Sequence, residues 1–300
     1  MNKILLVLVV LLTGVTFISF ITKSDETNFN LEESKPIMVK VLKNDKVLSL
    51  NLEDYIIGVV AGEMPASFEI EALKAQAVSS RSYALYKKNN SDNTYDLTSD
   101  INNQVYLTKE EMKDKWQEDY DYYYNKVKYA VESTKNEVMT YNGEIIEAFY
   151  FSMSNGQTED SINVFKEDVE YLKSVDSIYD NENIKKFKQE YSFSKDEFVN
   201  KFNLNCQIDS IDITYDDSHY VDNLKVCDQI INGIDVRNKL NLRSASFDVE
   251  VLDNIKITTY GYGHGVGLSQ YGANGYAKEG YNYKDILKHY YTNINISSIK

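Results

Sequence analysis

The stretch Tyr55–Tyr86, YIIGVVAGEMPASFEIEALKAQAVSSRSYALY, constrains this chain more than any other. It places two helix patterns on either side of a sharp link, Gly62-Glu63-Met64-Pro65. Asn51 is a good N-cap with Asp54 three residues on, and Leu52, Ile56, Val59 and Val60 share a face before Gly62, which is expected to end the first helix. The second helix is expected after Ser67, with Glu69 and Glu71 in its electropositive first turn and Ile70, Leu73, Ala77 and Ala84 along one stripe. Lys74 and Arg81 lie two turns apart on one face. On a packed helix such a face needs an anionic or polar partner; on a surface helix it is simply solvated.

Two further stretches have chemical character. Glu137–Tyr141, Asn142-Gly143 and Glu144–Phe151 read as a hairpin, because Asn-Gly supplies both positive-φ residues of a type I′ turn. Its second strand runs into Ser152-Met153-Ser154-Asn155-Gly156-Gln157-Thr158-Glu159, either a plain turn or a loop whose small hydroxyl residues let a ligand approach. Near the end, Gly261-Tyr262-Gly263-His264-Gly265-Val266-Gly267-Leu268-Ser269-Gln270-Tyr271-Gly272-Ala273 alternates glycines around His264, leaving the backbone bare enough for a substrate to come within hydrogen-bonding reach. The spacing is neither a dinucleotide fingerprint, nor a Walker loop, nor a nucleophile elbow. Taken alone, His264 is equally a satisfied core histidine.

The remainder reads as mixed structure. Pro36–Leu50 suggests a hairpin, and Lys87–Thr108 a polar surface excursion. Thr108-Lys109-Glu110-Glu111 has the capping-box pattern, and one or two helices are expected over Lys109–Lys135, with Met112, Trp116, Tyr120, Tyr123, Val127 and Val131 at helical spacing. Further helices are expected around Asn183–Glu190, Lys195–Phe202 and Ile230–Leu240, and strands at Ile208–Thr214 and Phe247–Leu252. The expected class is α+β: a mixed core of N-terminal helices, central hairpin and glycine-rich C-terminal segment over residues 36–300. The stretch 87–135 and part of 161–253 would be peripheral.

Before that core, Ile4–Ile21 is uncharged throughout, at the short end of the roughly 17–25 residues a bilayer span requires. It reads as a transmembrane anchor (residues 1–23) followed by a polar tether (24–35), with the bulk of the chain outside the cytoplasm. A cleaved signal peptide is the alternative. The net charge of −14 argues against nucleic acid as a partner, and an anionic cell wall would be bound only through local contacts. Cys206 and Cys227 are either a disulfide or two free thiols, and neither has redox or zinc spacing.

Tyr55, Gly58, Val59, Val60, Glu63-Met64-Pro65, Glu71 to Val78, Arg81 and Tyr83-Ala84 together resemble the N-terminal signature of the stage II sporulation protein D family. Gln104-Val105-Tyr106, the Ser152–Glu159 loop and Gly261–Ala273 extend the likeness. Phe151 stands where the family usually has histidine, and Asn155 replaces a glycine. The family consists of secreted or membrane-tethered proteins that cut peptidoglycan glycan strands. The resemblance implies that Glu63 is the catalytic acid and that His264, Ser269, Gln270, Tyr271, Ser152, Ser154, Gln76 and Arg81 converge on it. Arg81 would hold the muramic lactyl carboxylate. Some members bind zinc through Cys and His just before Gln-Val-Tyr; Leu97–Asn103 contains neither, so no such zinc, and no other cofactor, is expected. The implied partners are a cell-wall amidase, stage II sporulation protein P, and a membrane scaffold, stage II sporulation protein M, acting during engulfment of the forespore.

A hydrolytic glycosidase needs two carboxylates across the scissile bond, whereas a lytic transglycosylase needs one group that first gives and then takes a proton. Only Glu63 stands out in the sequence, which favours the lyase with 1,6-anhydro-muramic products. The contrasting reading is a glycan-binding module that recruits or stimulates an amidase and does not depend on Glu63.

Overall fold

Ile70–Asn89 forms a helix whose middle is buried on every side: Ala72, Leu73, Ala75, Ala77, Val78 and Ala84 are inaccessible, and so are the polar Gln76, Ser79, Ser80, Arg81 and Ser82. A helix rich in alanine and serine can be surrounded in this way because its thin profile lets neighbours approach from all directions. The structure is a computed structural model and describes residues 36–299. The expected anchor at Ile4–Ile21 and the tether after it lie outside the described residues. Among those described, no helix is long and apolar enough to cross a membrane.

The chain enters through β1 (Met38–Lys43) and β2 (Lys46–Asn51), whose turn residues Asn44 and Asp45 both take positive φ. Asn51 then caps α1 (Leu52–Glu63) by accepting the Glu53 N–H. Helix α1 runs through Gly62, so that glycine does not end it; the cap is Met64. A turn at Pro65–Phe68 leads to α2 (Ile70–Asn89), capped at Glu69 rather than Ser67. Strand β3 (Leu97–Thr98) joins β1 in parallel.

The capping box at Thr108 and Glu111 opens α3 (Lys109–Trp116), and a break at Gln117 precedes α4 (Tyr120–Glu132). The 87–135 stretch is not peripheral: Leu97, Gln104, Met112, Val127, Ala130 and Val131 are all buried, and α4 packs against α1 and α2.

Strand β4 (Glu137–Tyr141) turns at Asn142-Gly143, both at positive φ, into β5 (Glu144–Ile145), and β14 (Asn295–Ser298) flanks β4 on the other side. The expected long second strand stops there. After an irregular link, β6 (Tyr150–Phe151) pairs in parallel with β13 (Leu268–Ser269), Tyr150 facing Leu268.

Following α5 (Ser161–Phe165), the helix expected at 183–190 is absent: turns lead into β7 (Lys188–Ser194). This strand, β11 (Phe247–Val251) and β12 (Asn254–Tyr260) form one antiparallel sheet. Another contains β8 (Asp212–Tyr215), β9 (Val221–Val226) and β10 (Gln229–Asn232). With α6 (Lys195–Phe202) and α7 (Gly233–Leu240), these strands enclose a second core around Phe198, Leu224, Val236, Phe247, Ile255 and Ile257. Cys206 and Cys227 are joined as a disulfide across 21 residues beside that core, a closure worth about 3 kcal/mol by loop-entropy arguments. The C-terminal helices α8 (Gln270–Lys278) and α9 (Tyr283–Tyr290) return to pack on α2.

Candidate active site

Glu63 is the last residue of α1, and two glycines of that helix shape its surroundings. A Cβ on Gly58 would lie 2.3 Å from the Tyr106 ring, and one on Gly62 would lie 2.2 Å from the Val105 carbonyl oxygen. Spaced one turn apart, the glycines open a channel on the helix surface in which residues 104–107 lie. Leu107 donates its N–H to the Gly58 carbonyl at 3.1 Å, and Val105 donates its N–H to Glu63 Oε1 at 2.6 Å. Gln104 secures the segment from within: its amide donates to Ser80 O and the Tyr150 hydroxyl, and its Oε1 accepts from the Tyr55 hydroxyl.

Burial pushes the Glu63 carboxyl up to about 7, against the opposing pull of the Val105 N–H and the Lys115 ammonium. Lys115 itself donates to the Ala61 carbonyl. Glu63 also sits at the carbonyl end of α1, where the helix dipole disfavours negative charge. Desolvation therefore outweighs two stabilising contacts, and the carboxyl exchanges its proton in the neutral range.

Glu63 lines a cleft of about 520 Å³ together with Tyr83, the 100–103 loop, Phe149–Ser152, and Tyr262–His264 and Gln270. The structure thus brings Ser152, His264 and Gln270 to the same cleft as Glu63. Gln76 stands behind Gln270, accepting its amide at 3.3 Å and donating to Ser80 Oγ. Tyr271 hydrogen-bonds the Ser152 carbonyl through its backbone N–H and sets its ring edge-on to Phe68, centroids 4.9 Å apart.

Three of the expected groups are engaged elsewhere. Arg81 is fully buried; its guanidinium donates to both Glu53 oxygens at 2.9 and 2.7 Å and to the Glu137 and Val131 carbonyls, leaving it no reach to a substrate carboxylate. The anionic partner that the Lys74–Arg81 face needed comes from the chain itself, since Lys74 pairs with Glu71. Ser154 and Ser269 are inaccessible and both donate to Asp180 Oδ2, at 2.7 and 2.6 Å, which also receives Ser177 Oγ and the Ser154 N–H. Asp180 thereby ties the 152–157 loop to the start of α8. Burial raises its carboxyl despite these four donors. Nothing in the spacing around Asp180 signalled this role.

His264 is neutral. Val266 donates its N–H to Nδ1 at 3.1 Å, so Nε2 carries the proton and donates to the Tyr150 carbonyl at 3.2 Å. Burial among Phe149, Phe151 and Phe165, reinforced by the Arg237 charge, holds its pKa down near about 4. The glycines around it are used by the protein's own backbone: Gly261, Gly263, Gly265 and Gly267 all take positive φ, and a Cβ on Gly267 would lie 2.1 Å from the Phe149 carbonyl oxygen. The bareness serves packing against 149–154 as well as access.

Asp100 is a second carboxylate on the cleft wall. Its Oδ1 accepts the Asn102 N–H and the Thr98 hydroxyl, and these bonds lower its pKa. Asn103, at one of the positions compared with the family's zinc ligands, accepts the Thr98 N–H and donates to the Tyr83 hydroxyl. Among the described residues, no group of three or more His, Cys, Asp or Glu side chains is placed to hold a metal ion.

A profile of the Stage II sporulation protein family matches residues 42–141. Stage II sporulation protein D of Bacillus subtilis is 39% identical over 88% of this chain and 80% of its own length. The protein of the same name from Bacillus amyloliquefaciens is 40% identical over 89% and 80%. A more distant relative, the amidase enhancer of Bacillus subtilis, is 27% identical over 80% of this chain and 40% of its own length. With a glutamate-bearing cleft assembled from the segments that carry the likeness, and identity of this extent along nearly the whole chain, the protein belongs to the stage II sporulation protein D family.

Proposed function

We propose that this chain is a peptidoglycan lytic transglycosylase that acts during sporulation and cuts glycan strands, preferably stripped of peptides, with Glu63 as both acid and base. The observation that carries the reading is that one carboxyl of the cleft, Glu63, is poised near neutrality, on a cleft large enough for a small ligand or part of a polymer. Protonated Glu63 gives its proton to the glycosidic oxygen and the C1–O bond breaks. The resulting carboxylate takes the proton of the C6 hydroxyl, whose oxygen bonds C1 and closes the 1,6-anhydro ring. No water is consumed and no second carboxylate is required. Ser152 and Gln270 supply hydrogen-bonding groups along the cleft, while neutral His264 fixes the glycine-rich loop to β6.

The amidase-enhancer relative favours a second reading, a glycan-binding module that stimulates a cell-wall amidase without cutting. Mass spectrometry of digested peptide-free strands separates the two. Anhydro ends, lost with Glu63→Gln while binding persists, support the lyase. Proton transfer alone is typically worth ~10² to 10⁴ in rate. A wild-type protein that binds strands, cuts none and accelerates an amidase would overturn it. We further propose that Ile4–Ile21 anchors the chain with its bulk outside the cytoplasm; recovery of full-length protein from the soluble cytoplasmic fraction would refute this.

A further inference from the structure

A second hollow, of about 430 Å³, shares two chain segments with the cleft, 152–157 and 260–264, and is completed by Tyr215, His219 and Ser246–Asp248. Met153 and Tyr262 form an antiparallel bridge, exchanging both backbone hydrogen bonds at 3.0 and 2.7 Å. On one side of the bridge, Ser152 and Gly263 line the Glu63 cleft. On the other, Asn155–Gln157 and Tyr260 line the second hollow. From Ser152 to Gln157 the backbone can span no more than about 17 Å, so one short oligosaccharide can reach both.

The hollow is built and held. Asn155 donates to the Ser218 and His219 carbonyls and to Ser246 Oγ, pinning its floor. Two tyrosines converge on one carboxylate: Tyr215 donates to Asp248 Oδ1 at 2.9 Å and Tyr260 to Oδ2 at 2.6 Å. Each Asp248 oxygen keeps acceptor capacity for a further donor, and each tyrosine oxygen remains an acceptor. Tyr215 is 45% exposed, and Lys188 sits 5.4 Å from the Tyr260 ring centroid. The set offers flat aromatic surface with adjacent hydrogen-bond acceptors, which suits the apolar face and hydroxyl rim of a sugar. Asp248 disfavours an anionic occupant.

We propose that Tyr215, Asp248 and Tyr260 form a distal subsite for an uncharged N-acetylhexosamine ring of the glycan strand whose cleavable bond lies at Glu63. This rests on the glycan-cutting reading and extends it: the chain carries a net charge of −14, so affinity for an anionic wall must be gathered from local contacts, and a second contact makes binding increase with strand length.

The test uses the full-length chain carrying Glu63→Gln, titrated by calorimetry with a peptide-free disaccharide, too short to span from the cleft to the hollow, and with a decasaccharide that spans both. The decasaccharide should bind more tightly. Tyr215→Ala and, separately, Asp248→Asn should lower the ratio of long-strand to short-strand affinity about tenfold, and Tyr215→Trp should restore it. An unchanged ratio in folded variants overturns the subsite while leaving the glycan-cutting reading intact. If the ratio falls as expected but wild-type protein cuts nothing, the subsite stands and the lyase reading fails. Absence of binding to either strand overturns both.

Discussion

Val105 donates its backbone N–H to Glu63 Oε1 across 2.6 Å, and the contact exists because Gly62 carries no side chain. Helix α1 thereby presents its terminal carboxyl to a strand-like segment that both buries it and steadies it. The two effects oppose each other, and burial is the larger.

Gly62→Ala tests this arrangement. The added Cβ would lie 2.2 Å from the Val105 carbonyl oxygen, so residues 104–107 must move away from the helix. The expected result is a lower melting temperature together with at least tenfold slower strand cleavage, tenfold being about 1.4 kcal/mol in the barrier. Gly280→Ala is the comparison: Gly280 has positive φ, unlike the helical Gly62, but its Cβ would meet nothing within 4 Å, so it should cost only about 1 kcal/mol of stability. Equal behaviour of the two variants in both assays would defeat the packing account.

Local chemistry was legible in the sequence. The Asn51 cap, the Thr108–Glu111 capping box and the Asn142-Gly143 turn each depend on residues within a few positions of one another, and each is present. What failed depended on partners distant in the chain. Gly62 reads as a helix stop by local rules, yet its role is to admit Val105, 43 residues away in sequence. Arg81 is matched from sequence with a substrate carboxylate because its actual partner, Glu53, lies in another helix. Asn183–Glu190 reads as helix, but Lys188 onward pairs with β12, and strand pairing overrides a weak helical preference. Asp180 was invisible because its donors come from loops separated by up to 89 residues.

Glu63 should also leave a mark on stability. Its folded pKa of about 7 exceeds the ordinary 4.5, so the folded state binds the proton more tightly than the unfolded state. That contribution is complete below pH about 4.5 and is lost as pH rises through about 7. Wild-type stability should therefore fall relative to Glu63→Gln across that window, by about 3 kcal/mol. Urea unfolding of both proteins at several pH values measures the difference. Parallel pH dependences would mean that Glu63 titrates normally.

Arg81 gives a prediction of the opposite kind. Its buried pairing with Glu53 means that Arg81→Met strands a carboxylate, at a cost of about 3–5 kcal/mol. Double substitution with Glu53→Leu should recover much of that loss, as two apolar groups replace two charges. A substrate-binding arginine would behave differently: Arg81→Met would fold normally and raise KM, and Glu53→Leu would rescue nothing. Thermal melts and strand-binding titrations of the two variants distinguish these outcomes.

Substitution of Asp100 separates a lyase from a hydrolase. It shares the cleft with Glu63, and its pKa is moved the opposite way, lowered by the Asn102 N–H and the Thr98 hydroxyl while burial raises that of Glu63. Carboxyls pushed apart in one cleft are the usual equipment of a hydrolase, one acid and one base. In the lytic reaction the C6 hydroxyl takes the place of water and Glu63 alone handles the proton, so Asp100 is left with at most an electrostatic influence on the positive charge developing at C1. Asp100→Asn should then slow cleavage by about tenfold or less and leave every product with an anhydro end. Products of the wild-type protein carrying reducing ends, together with near-complete loss of cutting in Asp100→Asn, would make Asp100 the base that activates water and the protein a hydrolase.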